Sequence, residues 1–192
     1  MTKHIIISGV PRAGKSTVSR MIAKRYGYQH ISMDSIVSGF EACFPETGVG
    51  SYVKPTPEGS MRAVSRKLAP FLRAMMDSGE YDELDYGMVI DMYRLLPEDY
   101  VQYIDPAKCA AYYFVTAEVT VEERLQTLKQ YDTPNDYTFF DTEEKRRARC
   151  EEIVAHSRLL QEQCKRFCLP CYETSRERAR VLEAFVAGLG QG

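Results

Sequence analysis

Nine consecutive residues carry the clearest chemistry in the chain: Gly9-Val10-Pro11-Arg12-Ala13-Gly14-Lys15-Ser16-Thr17. Two glycines with four residues between them, then Lys and Ser, form the pattern of a phosphate cradle. Glycine lets the backbone take angles that other residues resist and lets it approach a ligand closely. Successive N–H groups then face one concavity, at the positive end of a helix dipole. Lys15 adds a full charge beside the outer phosphates, and the Ser16 hydroxyl is a ligand for Mg²⁺. All nine residues are therefore expected at a nucleotide.

Other groups are placed to act beside that cradle. Asp34 follows Tyr28-Gln29-His30-Ile31-Ser32, which reads as a second strand. Ligands of open α/β sheets bind outside the carboxyl ends of strands, so Asp34 is positioned to meet a second substrate. It is equally suited to cap a helix starting near Ser35. Asp91 ends the run Tyr86 to Met92, where a carboxylate can orient Mg²⁺ or its water, and Arg94 sits at the same mouth. Arg62, Arg66 and Arg73 lie off the apolar stripe of their helix. They form either a solvated face or, through Arg62 or Arg66, a fork for an anionic substrate. Arg124 falls in the first turn of a helix, where a cation opposes the dipole; it reads as an anion holder or a surface ion pair. His156 has no nucleophile or ligand partner nearby in sequence and reads as a surface or packing residue.

These groups need a particular scaffold. His4 to Ser8 reads as a buried strand, and Val18, Met21 and Ile22 mark a helix up to Tyr26 that stops at Gly27. Residues 44–60 are punctuated by Pro45, Gly48, Gly50, Pro55, Pro57 and Gly59 and read as a long loop. A helix is expected from Ser60 to Ser78, with Met61, Val64, Leu68, Leu72 and Met75 on its apolar stripe, a kink at Pro70 and a stop at Gly79. Ala110 to Thr116 is a further strand. Thr120 with Glu123 makes a capping box, as does Asp141 with Glu144, and Thr174 with Glu177 is read as the cap of the last helix. Between the middle two, Lys129 to Asp141 looks like a short flap. The helix after it carries Arg146, Arg147 and Arg149, which cannot all face one way because helical neighbours are about 100° apart; Ile153, Leu160 and Phe167 mark its buried side. Leu169 to Tyr172 is the last strand, and Val181, Leu182, Phe185 and Val186 face the core.

The 192 residues suit one domain with a small insertion, and 44% hydrophobic residues can fill a core. The net charge of −2 argues against a protein that coats nucleic acid. No run of about 18 apolar residues offers a membrane span. A first strand so near the start leaves no room for a signal peptide, so the expected location is cytoplasmic, with the six cysteines mostly reduced. Cys164, Cys168 and Cys171 have the cluster-binding spacing of radical enzymes that use S-adenosylmethionine. Their setting, a helix end and a strand, favours packing as small hydrophobes.

The order of elements resembles the P-loop kinases of small molecules, the group of adenylate, shikimate and gluconate kinases. The resemblance implies a three-layer α/β/α fold with a parallel five-stranded sheet in the order 2-3-1-4-5, ATP and Mg²⁺ as cofactors, a substrate-binding insertion at about 35–80 and a lid at about 129–142. Lys15 and Ser16 match the phosphate and Mg²⁺ residues. Asp34 matches the acid that meets the acceptor in sugar and shikimate kinases. Asp91 looks like the acid that opens the Asp-Gly-Phe-Pro-Arg motif of nucleoside monophosphate kinases, but Met92 and Tyr93 follow it here. Arg124 resembles the first arginine of the lid hinge; its usual partner is replaced by Leu128. Arg147 and Arg149 are similar to arginines that grip the transferring phosphates. Thr174, within Glu173-Thr174-Ser175, falls where such kinases cradle adenine with backbone groups.

The expected activity is transfer of the ATP γ-phosphoryl group to a hydroxyl-bearing acid or sugar. A nucleoside monophosphate acceptor competes, as does a protein that binds ATP without turnover. Nothing separates a metabolic kinase from a toxin-like kinase of a cell-wall sugar nucleotide. A GTP switch is disfavoured, because neither Asn-Lys-x-Asp nor Asp-x-x-Gly occurs. The partner is a small molecule, with no nucleic acid or membrane, and the oligomeric state is open.

Overall fold

A computed structural model describes residues 4–49, 57–78, 86–134, 136 and 138–191. Its centre is strand β1, His4–Gly9, whose six residues are all buried. The run of three isoleucines at 5–7 suits a strand covered on both faces, where alternation is lost. Each such side chain contributes about 1.5–3 kcal/mol on burial. Four more strands lie parallel to it: β2, Gln29–Ser32; β3, Met88–Asp91; β4, Cys109–Val115; and β5, Cys171–Glu173. Their order is β2-β3-β1-β4-β5, as expected.

Among the described residues seven α-helices connect them: α1, Lys15–Tyr26; α2, Met33–Cys43; α3, Pro57–Met76; α4, Pro97–Tyr103; α5, Val121–Tyr131; α6, Glu143–Arg166; and α7, Arg178–Gly188. Helix α1 packs against α7, while α3, α4 and α6 pack on one another. Gly27 ends α1 with φ 72° and donates to the Ala23 carbonyl, the left-handed stop its position announces.

Register decides what the fold can do. Ile7 pairs with Asp91, and Asp91 with Ser32. The strand order therefore brings the segment after β1, the end of β3 and the start of α2 to one edge of the sheet.

Several boundaries differ from expectation. Helix α2 starts at Met33, with Ser32 at its N-cap position, so Asp34 lies in the first turn and caps nothing. Its carboxylate instead accepts from the Tyr93 amide. Helix α3 starts at Pro57, which needs no amide partner in a first turn, and it runs on through Pro70. The stop expected at Gly79 lies outside the described residues. Helix α6 is capped by Thr142, which accepts from the Lys145 amide, because the Asp141 carboxylate is taken by Arg149 at 2.6 Å. Thr174 does not cap α7; its hydroxyl donates to the Val115 carbonyl, extending the β4–β5 edge, and Glu177 takes the N-cap position. Phe167 is only half-buried at the end of α6. Helix α4 was not expected, although Pro97 followed by Glu98 and Asp99 is a legible helix start.

Candidate nucleotide and acceptor cleft

The loop between β1 and α1 is shaped by two glycines with different duties. Gly9 has φ 138°, and a side chain there would overlap the Phe114 carbonyl of β4. Gly14 has φ 98° and opens α1; a Cβ would come 2.7 Å from a Leu182 methyl of α7. Helix α1 has no side-chain cap and no acid in its first turn, so its leading amides and its dipole are left for an anion. The Ser16 and Thr17 hydroxyls are exposed at that helix end.

Three successive carbonyls of the loop accept from three cations. Val10 accepts from Lys15 Nζ at 3.0 Å, Pro11 from Arg124 Nη2 at 2.6 Å, and Arg12 from Arg178 Nη1 at 3.2 Å. Arg124 and Lys15 are both buried. The loop is thus held by α5 and α7 through its oxygens, while the Val10 and Ala13 amides bond the Phe114 and Val10 carbonyls, so the amides at the start of α1 are the ones left for a ligand. The Arg12 side chain turns the other way. It pairs with Asp132 and, at 2.9 Å, with Asp136, while Thr138 donates to Asp132. The segment between α5 and α6 is therefore tied to the loop.

Beside the loop lies a cleft of about 620 Å³, walled by α2, α3 and α6. Lys15, Asp34, Arg94 and Arg149 line it together. Burial lowers the Lys15 pKa, a tendency opposed by the charges of Asp34 and Asp91 and reinforced by Arg124. The Asp34 carboxyl is raised, chiefly by loss of hydration; Lys15 opposes this, Asp91 adds to it, and the Tyr93 amide and Arg94 oppose it further. Asp34 still meets water at the cleft, so these effects are screened there.

Asp91 is 5% exposed, and its Oδ1 has no hydrogen-bond partner among the described residues. Its Oδ2 faces His30 at 3.6 Å. A carboxylate oxygen buried without a partner, close to Lys15 and the start of α1, suits a hydrated divalent cation.

The other expected site residues lie elsewhere. Arg62 pairs with Glu98 of α4, and Arg66 is exposed; neither lines the cleft. Thr174 is buried with its amide and hydroxyl both on Val115. Arg124 grips the loop backbone itself. Arg147 pairs with Glu122 of α5 at 2.8 Å. The Cys164 and Cys171 thiols share a hydrogen bond, which pushes Cys164 up and draws Cys171 down, while Cys168 is exposed on the turn between them.

Sequence reasoning missed Tyr93 and His156. The Tyr93 ring lies 5.7 Å from Lys15 Nζ and 5.0 Å from the Arg94 guanidinium, both cation–π distances. Its hydroxyl bonds His156 Nδ1 at 2.6 Å, and His156 is buried beneath the cleft. No spacing in the sequence joins residues 93 and 156. Glu41 was also missed, though it stands seven residues from Asp34 on one helical face, a signal that was there to read.

No protein-family model matches the chain, and no curated protein matches it. Solved structures do. A sugar kinase from Janibacter sp. HTCC2649 superposes with a TM-score of 0.53 at 15% identity, covering 99% of this chain and 95% of that one. The fold is that of the P-loop small-molecule kinases. A shikimate kinase from Acinetobacter baumannii, solved with shikimate, gives 0.51 at 17% identity over 100% and 94% of the two chains. A gluconokinase from Sinorhizobium meliloti 1021 gives 0.50 at 15% over 98% and 91%. In this P-loop kinase fold the cradle and the cleft described above lie at the same sheet edge.

Proposed function

We propose that the chain is an ATP-dependent phosphotransferase that moves the γ-phosphoryl group to a hydroxyl-bearing small metabolite, an acid or a sugar. One observation carries the reading. The Lys15 ammonium, at the phosphate cradle, and the Asp34 carboxylate line one cleft and perturb each other's proton affinity.

The chain's residues divide the work. The loop amides that make no bond within the protein and those of the first turn of α1 hold the phosphates, and Lys15 neutralises the charge that moves outward during transfer. Mg²⁺, when bound, would supply further charge neutralisation on the phosphates; Ser16 and Asp91 would hold it. Asp34 accepts the acceptor's hydroxyl proton as the oxygen attacks the γ-phosphorus. The new O–P bond forms, the bridging P–O bond to the β-phosphate breaks, and ADP leaves. A raised carboxyl pKa makes Asp34 a stronger base than an ordinary aspartate. Arg94 and Arg149 face the same space and position anionic oxygens.

In this reading α2 and α3, within about 35–80, form the acceptor-binding insertion. Residues 129–142 act as a lid that excludes water. Arg12, paired with Asp132 and Asp136, sets the position of that lid.

The test is acceptor-dependent ADP release from MgATP over a metabolite panel, with Lys15→Ala as control. Turnover with acids or sugars that Lys15→Ala abolishes supports the reading. Turnover confined to AMP, CMP or UMP overturns the acceptor class, and an unchanged Lys15→Ala rate overturns the site.

A further inference from the structure

The cleft is lined by three carboxylates, Asp34, Glu41 and Glu152, beside the cations Lys15, Arg94 and Arg149. Asp34, Val37, Ser38 and Glu41 face it from α2, at the spacing of one helical stripe. Glu152 faces it from α6, one turn beyond Arg149. Asp34 is assigned to the reacting hydroxyl, which leaves Glu41 and Glu152 without a task.

Neither glutamate is satisfied by the protein. Glu41 is half-buried and has no hydrogen bond or ion pair among the described residues. Among the described residues Glu152 is approached by the His156 imidazole, with Nδ1 at 3.9 Å, too far for a hydrogen bond. That nitrogen is already joined to the Tyr93 hydroxyl. By contrast, Arg149 on the same wall has Asp141. Arg149 is thus held by a neighbour, while Glu41 and Glu152 reach the cleft from two different helices, α2 and α6. Val37, Val64, Leu68 and Ile153 supply apolar surface between them.

We propose that the acceptor is a hydroxylated primary amine, bound with its hydroxyl at Asp34 and its ammonium between Glu41 and Glu152. The inference rests on the kinase reading and narrows it. Seven helical residues separate Asp34 from Glu41 by about 10 Å along the axis. With the reach of the glutamate side chain, that span accommodates a molecule the size of a single sugar ring. The apolar residues would pack its carbon face. An ammonium offers three donors and suits two carboxylates approaching from different helices. An amino sugar or a hydroxy amino acid presents this chemistry, and Arg94 would take the carboxylate of the second. The amine is a handle only. The hydroxyl oxygen is the nucleophile, its proton passes to Asp34, and ADP leaves as before.

The experiment uses the full chain with MgATP and matched acceptors: glucosamine, N-acetylglucosamine, glucose, gluconate and homoserine. ADP release is measured, and MgATP binding is followed separately by calorimetry. Glucosamine or homoserine should be turned over with the lowest KM, and N-acetylation, which removes the charge and keeps the hydroxyls, should abolish that advantage. Glu41→Gln and Glu152→Gln should each raise the KM for the amine about ten- to hundred-fold, the range for losing a charged hydrogen bond, with kcat nearly unchanged. The split between glucosamine and homoserine identifies which source of the amine the cleft takes. Preference for gluconate or glucose, no turnover of any amine while MgATP binds, or Gln variants with unchanged KM overturns the proposal and leaves the kinase reading standing. Failure to bind MgATP overturns both.

Discussion

Arg124 Nη2 donates to the Pro11 carbonyl at 2.6 Å, across 113 residues of sequence. The contact makes α5 a structural part of the phosphate loop. A first-turn arginine sits against its own helix dipole, at a cost of about a few tenths of a kcal/mol, and a charge-assisted bond to the half-buried Pro11 carbonyl more than offsets that. Arg124→Ala is expected to weaken MgATP binding about tenfold or more and to lower the melting temperature, because it also leaves a cavity. Arg124→Lys should restore part of the affinity. Titration calorimetry beside thermal melting checks both. Unchanged affinity in Arg124→Ala would mean that the loop holds its shape without α5.

Glycine conformation gives a paired test. Gly9→Ala places a methyl group on the Phe114 carbonyl at φ 138°, so β1 and β4 must separate. A loss of about 3 kcal/mol or more is expected. Gly27→Ala meets nothing within 4 Å and carries only the strain of φ 72°, so it should cost about 1 kcal/mol. Chemical denaturation of both variants measures the difference. Equal losses would contradict the crowding at Gly9.

The perturbed pair at the cleft fixes the pH profile. The Asp34 carboxyl is raised, chiefly by loss of hydration, so the base is protonated and transfer fails as pH falls through a value above the ordinary aspartate of about 3.9. The Lys15 pKa is lowered, chiefly by burial, so its charge is lost as pH rises through a value below the ordinary lysine of about 10.4. The profile of kcat/KM should be a bell narrower than these reference values allow. Asp34→Asn should reduce kcat about 10²- to 10⁴-fold and remove the acid limb. An acid limb that survives in Asp34→Asn would assign the base elsewhere.

Much of this arrangement was legible in the sequence. The nine-residue loop, the Gly27 stop and the Thr120–Glu123 capping box come from local rules of spacing and conformation, while the five-strand order was implied by the resemblance to the small-molecule kinases. The helix starts at Asp141 and Thr174 misled for one shared reason. Each had the right residue type for a cap, but a partner distant in sequence or in the sheet took the side chain: Arg149 for Asp141, Val115 for Thr174. Arg62 and Arg66 were left between a solvated face and an anion fork because helical phase tells which residues leave the core, not what they then meet; Arg66 is exposed and Arg62 meets Glu98. The Tyr93–His156 bond and the contacts of Arg124 and Arg178 with the loop carbonyls join residues far apart in the chain, and no periodicity encodes them.

The account stands on the phosphate loop gripping a nucleotide. Isothermal calorimetry of the full chain with MgATP tests this most directly, beside Lys15→Ala. One saturable site is expected, with the heat lost or the affinity reduced at least about a hundredfold when Lys15 is removed. No heat with millimolar MgATP, or equal binding by Lys15→Ala, would contradict it.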